Sequence, residues 1–142
     1  MSQFFDRADE VKELLDSVEG LQGIPFIVDR QKDVISELTT NINKQAGALG
    51  IITWTGGRNI DESADGPAIE STFTVTLFTK PVLRAGQQPA DDLVQLIACT
   101  LHDNRLGKKL NFQQRIILTG IEPVVSEELL AYRISIKTTN QF

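Results

Sequence analysis

The sequence predicts an α+β domain in which a mostly antiparallel sheet of about four strands carries helices packed on one face. Three observations lead there. Apolar residues recur at three- and four-residue steps in separate segments, the signature of helices with one buried face. Two other stretches, Glu70–Lys80 and Leu129–Thr138, alternate apolar and polar residues with a period of two, as half-buried strands do. The chain has 142 residues, a length that suits one domain spanning 1–142 and a core that needs no covalent staples. The expected order is α-β-α-β-β-α-β-β.

The first helix covers about Gln3 to Val18. Phe4, Ala8, Val11, Leu15 and Val18 form its stripe, with Phe5 and Leu14 widening it. Ser2 is placed to cap it, and Gly20 and Gly23 end it. Ile24–Val28 follows as a short strand whose Pro25 suits a strand start or a sheet edge. Asp29 can cap a second helix, about Arg30 to Gln45, with Val34, Leu38 and Ile42 on one stripe and Gly47 as the stop. Gly50–Thr55 is rich in β-branched and aromatic residues and reads as a strand. Gly56 to Ile69 reads as a long polar connection, a length that marks a functional or mobile segment. In Glu70–Lys80, Phe73, Val75 and Leu77 face one way and Thr72, Thr74 and Thr76 the other. Pro81–Gln88 is a second loop.

The third helix begins at Pro89, a favourable first-turn position for proline, and runs to about Asn104. Asp91 and Asp92 complement the positive end of its dipole. Leu93, Ile97 and Leu101 form its inner stripe, with Val94 and Ala98 beside it. Two strands close the chain, Arg115–Pro123 and Leu129–Thr138. In the second, Leu130, Tyr132, Ile134 and Ile136 oppose Ala131, Arg133, Ser135 and Lys137. The sheet face rich in threonine is left to meet water or another sheet in a partner subunit.

Composition narrows the function classes. Hydrophobic content of 41% and charged content of 23% are ordinary for a globular domain. The formal net charge is −5. Nucleic-acid binding draws its affinity from Lys and Arg on phosphates, and the whole-chain field has the opposite sign. Arg105, Lys108, Lys109 and Arg115 form a local basic group, which a helix C-terminus explains as a match to the dipole. No specific nucleic acid is expected as a partner. No stretch reaches the roughly 18 apolar residues of a membrane span, and no membrane partner is expected. The acidic start, MSQFFDRADEVKELL, differs from a secretory signal and reads as the beginning of an intracellular protein. Cys99 is the single cysteine, so no disulfide forms within the chain.

The chemical motifs are weak. Asp61-Glu62-Ser63-Ala64-Asp65-Gly66 resembles the opening of a calcium loop, but Thr72 stands where the twelfth-position glutamate belongs and the flanks read as strands. A solvated acidic turn is the better reading. Cys99 and His102 sit three apart on a helix and could form a thiolate–imidazole pair. A packed cysteine and a histidine near the negative end of a helix explain them without chemistry. Gly56-Gly57-Arg58 lacks phosphate-loop spacing, and adjacent helical carboxylates such as Asp91 and Asp92 do not face one another. No catalytic, metal or cofactor group is expected. Trp54 is either core or an interface anchor, since tryptophan is enriched at binding hot spots. Phe78, on the threonine face, and Phe142, at the extreme C-terminus, are candidates for contact with a neighbour.

Taken together, the N-terminal helix, the strand–helix stretch IPFIVDRQKDVISELTTNIN, the strand with a polar loop, the alternating strand ending in Lys80-Pro81, the helix PADDLVQLIACTLHDNRL and the closing AYRISIKT resemble the tail-terminator and tail-completion proteins of tailed bacteriophages and prophages, including the minor tail protein U type. The likeness covers nearly the whole chain and rests on element order and pattern. It departs from some relatives in an extra strand–helix unit near the N-terminus. The resemblance implies a non-enzymatic virion protein of the tail, assembled in the bacterial cytoplasm as a homo-oligomeric ring, usually a hexamer. Its partners would be the tail tube and the neck or head-completion proteins. It would carry no cofactor. The Gly56–Ile69 and Pro81–Gln88 loops would reach neighbours, making Arg58, Asp61, Asp65 and Arg84 interface candidates together with Trp54, Phe78 and Phe142. The alternative class is a small enzyme or ligand-binding domain using a cleft between helix and sheet, with Cys99, His102 and Arg105 as its polar groups.

Overall fold

A computed structural model describes residues 3–21, 24–29, 48–59, 68–79, 90–102, 104–106, 114–125 and 130–141. The expected second helix, about Arg30 to Gln45, lies outside them, as do the Ser2 cap and the Pro81–Gln88 loop. Within them the chain is α+β. Helix α1 (Gln3–Asp16) leads through a single 3-10 turn (Glu19–Leu21) to strand β1 (Phe26–Val28). Strands β2 (Ala48–Asn59) and β3 (Ala68–Thr79) follow, then helix α2 (Ala90–Leu101). Two short strands, β4 (Arg105–Leu106) and β5 (Gln114–Arg115), precede the closing pair β6 (Ile117–Val125) and β7 (Leu130–Gln141).

Among the described residues the main sheet has five strands in the order β1-β2-β3-β7-β6, as many as the expected element order contains and one more than the roughly four assigned to the sheet, and β4 pairs with β5 in a separate, unexpected ladder. Only β1 and β2 run parallel; β2–β3, β3–β7 and β6–β7 are antiparallel. The short, Pro-preceded β1 stands at one edge, as Pro25 suggested, and β6 stands at the other.

Both described helices lie on one face. Ala8, Val11 and Leu15 of α1 and Leu93, Val94, Ile97 and Leu101 of α2 join Ile52, Phe73, Val75, Leu77, Ile134 and Ile136 of the sheet in one buried cluster. These are the stripes and the alternating faces read from the sequence. Register makes the sheet face continuous: Phe73 opposes Trp54 on one side and Ile136 on the other, and Val75 opposes Ile52 and Ile134. Alpha-helical ends are tied locally. Ser17 donates its hydroxyl to Leu14 C=O at 2.7 Å. Asn104 donates its amide to Thr100 C=O at 3.0 Å, and Ile116 N–H bonds Asn104 C=O at 2.8 Å. That last bond fastens the β4–β5 ladder beside the fully buried Ile116.

Three differences from the sequence reading have physical causes. Strand β2 runs on to Asn59, so the connection to β3 is shorter than the expected Gly56–Ile69 loop. A β-bulge between Trp54 and Gly56 carries the strand through the glycines, and Gly56 has a φ of 128°, a conformation that glycine adopts without strain. Thr55, the extra residue, is held by its hydroxyl 2.8 Å from that of Thr72. The threonine face is also less uniform than expected. At its β1 end, Leu49 and Ile51 are buried on the side away from the helices, with Ile27 and Phe78 packed against them. Finally, Cys99 is exposed, not packed: it lies on α2 between the buried Ile97 and Leu101, and a helix turns the intermediate residue outward.

Candidate functional site

The features that stand out are on the surface of the sheet and at its edges. On the face away from the helices, β3 contributes Thr72, Thr74 and Thr76, all half-buried, and β7 contributes Arg133, Ser135 and Lys137. A charged row crosses three strands near one end of this face. Arg58 on β2 lies 3.5 Å from Glu70 on β3, and Lys137 on β7 lies 3.8 Å from the other oxygen of Glu70. Arg133 and Glu122 make a further cross-strand pair at 3.4 Å. Each pair has a partner exposed to solvent, which screens it, and contributes about 0–1 kcal/mol. Their greater effect is to set the sign of charge that a neighbour must match.

The sequence-predicted interface residues fall into three groups. Arg58 is at the surface, with 77% of its side chain exposed, where it can reach a partner. Trp54 and Phe78 are half-buried and already engaged within the chain, Trp54 against the main cluster and Phe78 against Leu49 and Ile51. Each offers a neighbour only part of its ring. Asp61, Asp65, Arg84 and Phe142 lie outside the described residues, and so does the Asp61–Gly66 segment that resembles a calcium loop. Its flanks are the strands β2 and β3, not the helices that such a loop joins.

The polar groups named for a helix–sheet cleft are not gathered in one. Cys99 and His102 are exposed, while the opposite side of α2 packs directly on the sheet. Arg105 opposes Arg115 in the β4–β5 ladder; Lys108 and Lys109 lie outside the described residues. Among the described residues no group of three or more His, Cys, Asp or Glu could hold a metal ion, and no helix is long and apolar enough to cross a membrane.

Sequence reasoning missed Ile117 and Ile121. They are the exposed large hydrophobics among the described residues, at 40% and 44%, and both belong to the edge strand β6. Pro123 was the available signal, because a proline inside a strand pattern marks an edge.

No family model and no curated protein matches this chain. Solved structures do: 28 chains match. One whose name states no function covers 100% of this chain and 97% of its own at 15% identity, with a TM-score of 0.64. At that identity the likeness shows the fold, over the whole of this chain and nearly the whole of the other.

Proposed function

We propose that this chain is a structural protein of a phage or prophage tail, of the terminator or tail-completion type, which caps the tail tube and joins it to the head-side connector. The observation that carries the reading is the element order. The succession on which the resemblance rests is an N-terminal helix, a short strand and helix, a strand with a long polar loop, an alternating strand, a helix and a closing pair of strands. The helix after the short strand lies outside the described residues; the described elements follow one another in that order, with the short β4–β5 ladder before the closing pair. Two features agree with a protein that works by contact. Among the described residues, the exposed large apolar side chains sit at a sheet edge, and charged cross-strand pairs lie on the sheet face away from α1 and α2. In this reading the chain acts as a homo-oligomeric ring, and its partners are the tail tube and neck proteins.

The experiment is light scattering at micromolar concentration, with and without tail tube protein. The reading expects a discrete assembly several times the mass of the 15.7 kDa chain. A strict monomer under both conditions contradicts it.

A further inference from the structure

The two ends of the sheet differ in a way that suggests they meet. Strand β6 pairs with β7 along one side, and among the described residues nothing pairs with the other. A bulge between Leu118 and Gly120 reverses the alternation, so Ile117 opposes Lys137 on the outer face and Ile121 opposes Ile134 on the helix face. An exposed isoleucine therefore flanks the open edge on each side. Pro123 fixes which backbone groups are open. It has no N–H, and a proline within a sheet turns that position outward. The unbroken register from Gly120 to Val125 then turns the N–H and C=O of Ile121 and Val125 outward as well. Bulges and prolines are devices that stop long edges from pairing indiscriminately. Here they leave an open stretch suited to a short strand.

At the far end, β1 is a short strand of apolar residues, Phe26, Ile27 and Val28. Gly50 N–H donates to Pro25 C=O and Asp29 N–H to Ile52 C=O. Alternation then leaves the backbone groups of Phe26 and Val28 pointing away from β2. Among the described residues no strand takes them.

We propose that β6 of one copy takes β1 of a second copy, so that the sheet runs on from subunit to subunit. Two different edges meet, which makes the contact heterologous. Such contacts close into rings when the rotation between subunits closes. Main-chain hydrogen bonds supply the affinity of strand addition, and the two isoleucines cover it above and below. The inference names the contact of the assembly proposed above and rests on that reading.

The test is hydrogen exchange on the full chain, dilute and concentrated, alongside light scattering of the wild type and of the Ile117→Lys/Ile121→Lys variant. Both positions are part-exposed, so lysine stems can lie on the surface with their charges in water. In the assembly, the amides of Ile121, Val125, Phe26 and Val28 are expected to exchange at least about tenfold more slowly than in the monomer, as amides newly shielded by a cooperative contact do. The variant is expected to remain monomeric where the wild type assembles. An assembly without that protection, or one that the lysines leave intact, overturns the strand pairing and leaves the ring reading standing. A wild type that is monomeric at every concentration, with and without tube protein, overturns both. Should the variant unfold, exchange on the wild type decides alone.

Discussion

Replacing Gly50 with alanine probes the closest approach in the sheet. Gly50 opposes Phe26 across the parallel β1–β2 pair. A Cβ added there would sit 2.3 Å from Phe26 Cδ1 and 2.5 Å from Cε1, where carbon atoms normally approach to about 3.5–4.0 Å. Relief requires the ring to move by more than about 1 Å. Phe26 is only 2% exposed and belongs to the main core cluster, so it has nowhere open to go. Overpacking of this kind costs about 1–3 kcal/mol. The lost flexibility of the unfolded chain returns about 0.4–1 kcal/mol. The net expectation is a loss of about 1–2 kcal/mol, or a fall in Tm of about 3–6 °C for a chain of this size. Urea unfolding followed by circular dichroism measures it, with an unchanged m-value showing that the same surface is exposed. Phe26→Leu removes the ring atoms that meet the new Cβ. In the Phe26→Leu background, Gly50→Ala should then be less destabilising by about 1 kcal/mol, which a double-mutant cycle resolves. A Gly50→Ala protein as stable as the wild type, or strictly additive effects, would refute the packing argument.

The remaining predictions concern backbone strain, an isolated hydroxyl and surface charge. Gly56→Ala places a side chain at a φ of 128° and should lower stability by about 1–2 kcal/mol, whereas Gly120→Ala meets nothing within 4 Å and should change it by less than about 0.5 kcal/mol; thermal melts separate the two. Thr138 is 3% exposed and its hydroxyl makes no hydrogen bond among the described residues. Thr138→Val should therefore be neutral or stabilising in urea unfolding, because it removes a buried polar atom that is not repaid by a partner. Glu70→Gln should lose under about 1 kcal/mol, and the loss should fade as salt is raised from 0.01 to about 1 M, since Arg58 and Lys137 meet Glu70 at the surface.

Much of the fold was legible because period and burial coincide in this chain. The alternation of Phe73, Val75 and Leu77 against Thr72, Thr74 and Thr76 survives intact in β3, which has a strand on each side and no bulge. The stripe of Leu93, Ile97 and Leu101 likewise gave the buried side of α2. That same stripe pointed Cys99 outward; the general tendency of free cysteine to be buried suggested the reverse, and position on the helix prevailed. Where the period breaks, the sequence misleads. Ile117 and Ile121 are an even number of residues apart and read as sharing a face, but the bulge at Leu118 and Gly120 puts them on opposite faces. Gly56 and Gly57 read as the start of a polar connection because glycine is common in turns and loops, while their local role is to let β2 bend through its bulge. The interface candidates were legible only in part. Arg58 is exposed as a polar residue in a glycine-rich stretch should be. Trp54 and Phe78 were harder to assign, since how much of an aromatic ring a neighbouring strand covers depends on register, which composition does not contain.

The most direct measurement of the central claim is electron microscopy of tail tubes polymerised from their subunit in the presence of this chain. The account predicts tubes that stop growing and carry added ring-shaped density at one end. Tubes that keep lengthening with bare ends, while the chain stays free in solution, would contradict it.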